Sequence, residues 1–230
     1  MRRLLAALLP VLLLGLLPSP ADAATTVRLD GVSVRLRAGT SQVVTANRTR
    51  GYHARVTFWA LQHGRWTKRL STRDGRIGYG GLSRPAQRHQ GDGTTPTGTF
   101  DLPFAFGTHA RKAGWRMGYH RIRKGDYWVG DNASRYYNQL RNKSVGGFRW
   151  WLPESDDNGS ERLLAHRAPY EYAFATGFNA GQVHHRGFAI FLHVNGRGAT
   201  AGCVSAPRSF LKKLFGLVDP SRHPVIAIGA

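Results

Sequence analysis

The chain has 230 residues, with 33 Lys and Arg against 13 Asp and Glu, a net charge of +20 and one cysteine. That length accommodates one sizeable domain rather than several, and a lone cysteine excludes an internal disulfide framework. So basic a chain attracts polyanions, although a solvated cationic surface, here 27 Arg and 6 Lys, accounts for the same charge without a partner.

The first 23 residues read as a secretory signal peptide. Basic Met1–Arg3 precedes an uncharged apolar run over 4–17. Pro18-Ser19-Pro20 then breaks any helix, and Ala21 and Ala23 supply the small residues that set cleavage after Ala23. The run is shorter than the roughly 20 residues a membrane-spanning helix needs, and no later segment qualifies as a transmembrane span. Export moves the expected polyanion from nucleic acid to an anionic cell-wall polymer or membrane-surface lipid. Residues 24–41 read as a leader, either loose or carrying one early strand in which Val32, Val34 and Leu36 alternate. Residues 42–230 read as the catalytic-size domain.

From Gln42 the pattern is β-rich. Arg55–Leu61 reads as a strand followed by a turn at Gly64-Arg65, and 91–98 is dense in turn residues before a short strand ending at Phe100. Asp126–Val129 predicts another strand, and Glu161–His166 one or two helical turns. Tyr170–Phe178 predicts a strand with Tyr170, Tyr172, Phe174 and Phe178 on one face. Gly187–Val194 is nearly continuous apolar and reads as a central strand buried on both faces, delivering His193 at its end. Ser205 as N-cap and Pro207 in the first turn predict a helix carrying the stripe Phe210, Leu211, Leu214, Phe215 and Val218. Pro224–Ile228 closes as a strand. The fold class is mainly β, with a short helix after the cysteine.

Cys203 lies ten residues after His193, with Gly196, Gly198 and Gly202 between them. A cysteine nucleophile needs a lowered pKa, a base within reach and donors for a developing oxyanion. The predicted helix start would favour the thiolate, His193 is the candidate base, and the N–H groups of Gly202 and Cys203, with Ala201 beside them, are candidate oxyanion donors. Bland readings stand alongside: an inert buried thiol, a strand-end histidine bonded to a backbone carbonyl, and a plain hairpin loop for the glycines.

Other polar groups carry less. His184 and His185 are adjacent to each other and near His193, but no HExxH or comparable carboxylate spacing supports a metal. Asp92, Asp156 and Asp157 sit in turn sequences, and Asp131 is treated alike. Trp150-Trp151 and Tyr136-Tyr137 suit either a ligand groove or core packing.

Two motifs together resemble a known family. Ala189–His193 followed by Thr200-Ala201-Gly202-Cys203 is similar to the active-site signature of the L,D-transpeptidases (YkuD-like domains), and Thr95-Pro96-Thr97-Gly98-Thr99-Phe100 is similar to a segment near the start of those domains. Tyr136-Tyr137-Asn138 and the 172–179 segment resemble an exported bacterial branch. The resemblance implies a YkuD-like β-sandwich with a helix after the cysteine motif, and an acyltransferase acting on peptidoglycan stem peptides in cell-wall biogenesis and cell shape. It implies Cys203 as nucleophile, His193 as general base and acid, Gly202 and Ala201 at the oxyanion, and no metal or organic cofactor. An L,D-carboxypeptidase on the same scaffold and a non-catalytic basic wall-binding protein are the alternatives. The spacing of ten is shorter than in common members, Ser205 stands where the family often has Arg or Asn, and the group that orients the imidazole is open between Asn195 and a backbone carbonyl.

Overall fold

The computed structural model describes residues 25–230; the signal-peptide reading of 1–23 lies outside the described residues. In chain order the strands are β1 (Thr26–Leu29), β2 (Val32–Arg35), β3 (Gln42–Arg50), β4 (His53–Gln62), β5 (Arg65–Arg76), β6 (Leu82–Ser83), β7 (Thr95–Pro96), β8 (Gly98–Asp101), β9 (Ala105–Gly107), β10 (Tyr119–Arg121), β11 (Asp126–Trp128), β12 (Leu140–Asn142), β13 (Glu161–Arg162), β14 (Tyr172–Ala175), β15 (Phe191–Val194), β16 (Val204–Ala206) and β17 (Val225–Gly229). One α-helix, α1 (Arg208–Phe215), lies between β16 and β17, so the mainly β class with a helix after the cysteine motif holds. The segment expected as a leader or single strand forms the β1–β2 hairpin, whose Val32 and Val34 pack on Val43, Val225 and Ala227.

The main sheet runs β10-β9-β14-β15-β16-β5-β4-β3-β17-β8. Strands β14 and β17 are six positions apart in that order, roughly 29 Å across a flat sheet. Yet Phe174 of β14 and Ile226 of β17 share one core cluster with α1, so the sheet curls around the helix. The predicted stripe is what the helix buries: Phe210, Leu211, Leu214 and Phe215 are all buried, each contributing about 1.5–3 kcal/mol by leaving water. Ser205 does not cap this helix. It lies in β16, and the residue at the N-cap is Pro207.

The strand alternation of β15 and β16 creates two chemically different faces. Leu192, Val194, Val204 and Ala206 enter the α1 core. Phe191 and Cys203 enter a second cluster with Phe106, Trp128, Leu163 and Tyr170, and period two puts His193 and Ser205 on that same side. Strands β15 and β16 pair in parallel, Leu192 opposite Val204 and His193 opposite Ser205. A hairpin would have made them antiparallel, so the segment from His193 to Cys203 is a short crossover. It is fastened from β5, where Arg76 donates to the Gly196 carbonyl at 2.6 Å and the Gly198 carbonyl at 3.2 Å, and by Thr200, which bonds Ile77 and Tyr79 through its backbone.

Two sequence expectations fail for identifiable reasons. Tyr170 does not share a face with Tyr172 and Phe174, because Pro169–Glu171 forms a 3-10 turn that precedes β14 and sends Tyr170 into the opposite cluster. Gly187–Ile190 is not strand: Ala189 has a left-handed φ of 54°, uncommon for a residue with a side chain, and only Phe191–Val194 pairs. The 161–166 segment is divided between β13 and a 3-10 turn, Leu163–His166.

Candidate active site

A cavity of about 560 Å³ opens on the second face, and Cys203, His193, Arg88, Glu161, Tyr170 and the 196–201 crossover are among its walls. Cys203 is set by β16 and His193 by β15. The parallel register leaves them on one face, offset by two residues, roughly 6.6 Å along the strand direction. Three-stranded pairing of β12, β11 and β13 brings Glu161 to the cavity wall.

The imidazole is oriented by a backbone carbonyl. His193 Nδ1 lies 2.8 Å from the Val194 oxygen. A carbonyl only accepts, so Nδ1 carries the proton and Nε2 is the free basic nitrogen. Tyr170 packs edge-on against the ring at 5.4 Å between centroids. Asn195, the other candidate orienter, is committed elsewhere: its Oδ1 accepts from Ser205 Oγ at 2.7 Å and its Nδ2 donates to the Asp74 carbonyl at 2.7 Å. The same bond explains Ser205, which is fully buried and reaches no cavity.

The thiol sits in a backbone cradle. Sγ accepts from Phe191 N–H at 3.3 Å and donates to the Ala189 carbonyl at 3.1 Å. The unusual φ of Ala189 turns that carbonyl toward the sulfur's side, and Asn138 holds the turn by accepting from Ala189 N–H and Trp128 Nε1. Burial raises the Cys203 pKa to about 12, with the Glu161 charge adding to it and the Phe191 N–H and Arg88 opposing. Burial also lowers the His193 pKa to about 4, only partly offset by the Val194 bond. Both shifts favour the uncharged forms, a thiol and a neutral imidazole in one cavity. The helix dipole cannot supply the expected assistance, because β16 and Pro207 separate Cys203 from the first turn of α1.

The expected oxyanion residues divide. Ala201 lines the cavity. The Gly202 N–H already donates to Thr200 Oγ1 at 3.2 Å, and Thr200 Oγ1 in turn donates to the Cys203 carbonyl at 2.6 Å. Gly202 is required for another reason. At φ +137° a side chain there is strained, and its Cβ would lie 2.9 Å from both Arg88 Nη2 and the Thr94 carbonyl. Gly187 makes the same allowance, since a Cβ there would lie 1.5 Å from Arg88 Nη1.

Arg88, Glu161 and Tyr170 are the site residues the sequence reading missed. The Arg88 side chain is 3% exposed, bonds the Thr94 and Arg186 carbonyls, and lies 3.9 Å from its nearest carboxylate, Asp92. Two glycines 15 residues apart, Gly187 and Gly202, flank that guanidinium, but nothing in the sequence pairs them with Arg88. Glu161 carries no motif at all.

The remaining candidates make contacts of their own, and Asp156 and Asp157 also line the cavity. Asp92 accepts from His89 and Thr94, and Asp156 from Asn158, as turn carboxylates do. Asp131 is paired with Arg149. Tyr137 is buried and donates to Gln90, Tyr136 lies under Arg141, and Trp150 and Trp151 are exposed and away from the cavity. Among the described residues no His, Cys, Asp and Glu cluster of metal-binding geometry occurs and no helix is long and apolar enough to cross a membrane.

The sequence profile of the L,D-transpeptidase catalytic domain, YkuD, matches residues 41–226. No curated protein matches the chain. Among solved structures, a point mutant of the helical cell shape determining protein Pgp2 from Campylobacter jejuni is 14% identical, with a TM-score of 0.41 over 82% of this chain and 46% of that one. The Ldtfm–avibactam carbamoyl enzyme is 13% identical, with a TM-score of 0.34 over 84% and 49%. The chain spans about half the length of these two structures, and similarity at that level adds no argument of its own. The profile covers most of the chain, including both motifs and the cavity that holds Cys203 and His193, and on that ground the protein belongs to the YkuD L,D-transpeptidase catalytic-domain family.

Proposed function

We propose that the protein is a cysteine-dependent acyltransferase of peptidoglycan stem peptides, exported through its N-terminal segment (residues 1–23) and working in the cell wall with residues 42–230 as the catalytic unit. The observation that carries this reading is the free Nε2 of His193 in the same cavity as the lone thiol. Cys203 Sγ attacks the carbonyl of the third stem residue as His193 Nε2 takes the thiol proton. The imidazolium returns that proton to the leaving amine of the terminal D-residue, and a thioester remains. An amine of another stem, or of a wall-anchored protein, then takes the acyl group, giving a 3→3 cross-link or an anchored protein.

The burial that raises the thiol pKa supports the timing. The thiol must lose its proton during attack and not before, after rotating from the Ala189 carbonyl toward the imidazole. Oxyanion donors are then the Cys203 and Ala201 N–H groups, with the Gly202 N–H joining if it leaves Thr200 Oγ1, and with the Arg88 charge close to Gly202. The excess of arginine supports docking on anionic wall polymers.

One observation favours the non-catalytic reading, the protonated thiol bonded to Ala189. The test treats wild type and Cys203→Ala with defined stem tetrapeptides and reads products by mass spectrometry. Cross-linked dimer lacking one D-residue establishes transpeptidation, tripeptide alone establishes L,D-carboxypeptidase activity, and no product from wild type on any stem refutes both.

A further inference from the structure

One half-buried group on the cavity wall is not used by the thiol–imidazole step. Glu161 sits on β13 with its Oε1 shielded from solvent and without a hydrogen-bond partner. A carboxyl oxygen left in that state is costly in a purely structural role. The groups that act on its charge are Tyr170, then His166 and Glu154. Cys203 feels its charge in turn. The cation that acts on it, His166, is already paired, since its Nε2 lies 2.7 Å from Glu154 Oε2. Arg88, at the Gly202 side of the same cavity, is held by backbone carbonyls. Among the described residues Glu161 is thus a carboxyl with no salt-bridge partner, in the chamber that holds the nucleophile, and Tyr170, which packs on the His193 ring, lines the same chamber.

We propose that Glu161 is the amine-binding and proton-accepting residue of the site, receiving the primary ammonium group of the acyl acceptor beside the thioester. The inference rests on the acyl-transfer reading for the identity of that acceptor. An alkylammonium cannot attack a thioester until it loses a proton. The Glu161 carboxylate takes one, leaving a neutral amine and a carboxylic acid. The amine nitrogen forms its bond to the thioester carbon, the C–S bond breaks, and the electron pair leaves on Sγ. The second amine proton passes through His193 to the sulfur, and Glu161 releases its proton to water. Thioester and ammonium become amide, free thiol and one proton. Burial, which holds the Glu161 pKa at about 7, matches the group to this exchange near neutral pH.

Binding is tested apart from chemistry. Cys203→Ala protein is titrated by NMR with Nα-acetyl-lysine methylamide, which carries one primary ammonium and no other charge, and with its Nε-acetylated form. We expect saturable binding of the first probe only, weakened at least about tenfold by adding Glu161→Gln, the scale of one charge-assisted hydrogen bond. Equal affinity with and without Glu161→Gln, equal affinity for the acetylated probe, or no binding of either overturns the proposal. Thermal melting verifies that the Gln variant is folded. Glu161→Asp, which keeps the charge one methylene back, is the second variant and is expected to bind more weakly than wild type and more tightly than Gln.

Transfer is the second arm. With stem tetrapeptide as donor, Glu161→Gln is expected to raise the KM for the amine at least about tenfold and to move product from cross-link to tripeptide. Acetylating the acceptor amine should reproduce this in wild type, and acetylating only the donor's amine should not. An unchanged amine KM in Glu161→Gln, or sensitivity to the donor's amine alone, overturns the assignment. Amine binding that depends on Glu161 in a protein that transfers nothing supports the amine site and defeats the acyl-transfer reading instead.

Discussion

The two faces of β15 and β16 are built from the same seven residues and could hardly differ more. Leu192, Val194, Val204 and Ala206 look toward α1 and are satisfied by packing alone. Phe191, His193 and Ser205, with Cys203 just before β16, look the other way, where a thiol, an imidazole, a guanidinium and a carboxyl meet around one cavity. The first face stabilises the fold and asks nothing of a ligand. The second holds ionisable groups away from water, with the thiol at about 12, the imidazole at about 4 and Glu161 at about 7. The lesson is that a one-residue alternation suffices to place reactive chemistry on a rigid support: each reactive side chain is anchored by an apolar neighbour that cannot move without opening the core.

The sharpest way to break the contrast is to cross-mutate the faces. Cys203→Ala should remove acyl transfer by at least about 10³-fold while the protein stays folded, since it deletes the nucleophile; steady-state turnover with a stem tetrapeptide is the measurement. His193→Gln should lower the acylation rate about 10²–10⁴-fold, read by single-turnover kinetics. On the opposite face, Leu214→Ala should cost about 2–5 kcal/mol of stability in denaturant melts and leave kcat/KM near wild type under conditions where the variant remains folded. Equal loss of activity from Leu214→Ala would show that the two faces are not separable.

The pH dependence of stability sharpens the same comparison. His193 has a folded pKa depressed to about 4 from 6.5, so the unfolded chain binds the extra proton between those values and stability falls as pH drops through that window. Glu161 is raised to about 7 from 4.5, so its contribution is present below 4.5 and is lost as pH rises toward 7. The two slopes oppose each other between pH 4.5 and 6.5. Relative to wild type, His193→Gln should therefore lose stability as pH rises over that range, and Glu161→Gln should gain it. Urea melts at three or four pH values test the sign. The smallest effect is expected from Asn195→Ala. It removes the partner of Ser205 and costs about 1 kcal/mol, but kcat/KM should stay near wild type because Val194 holds the imidazole.

Much of the support was legible in the sequence, and the chemistry only in outline. The stripe from Phe210 to Val218 marked α1 because burial on one side of a helix has a fixed period. The strand at 55–61 and the closing strand at 224–228 were visible for the same kind of reason. Strand β5 was not, since its sequence, RWTKRLSTRDGR, is largely exposed and is held by pairing with β4. His193 and Cys203 could be singled out by type and spacing, but their parallel pairing could not, because a nine-residue link with three glycines reads as a hairpin. Arg88, Glu161 and Tyr170 come from segments distant in the chain, and only the fold gathers them. Gly202 stood out as a candidate oxyanion donor, and its neighbour on the far side was not legible. That side admits the Arg88 guanidinium.

The central claim is that Cys203 is activated by His193 at the moment of attack to form a thioester. Intact-protein mass spectrometry of wild type, His193→Gln and Cys203→Ala, quenched in acid during reaction with a stem tetrapeptide, tests it most directly. The account predicts an adduct of the tetrapeptide lacking its terminal D-residue and water, mapped to Cys203, abundant in wild type, formed far more slowly in His193→Gln and absent in Cys203→Ala. A wild-type enzyme that turns over the peptide with no adduct on Cys203, or a Cys203→Ala variant that releases the D-residue at the wild-type rate, would contradict it.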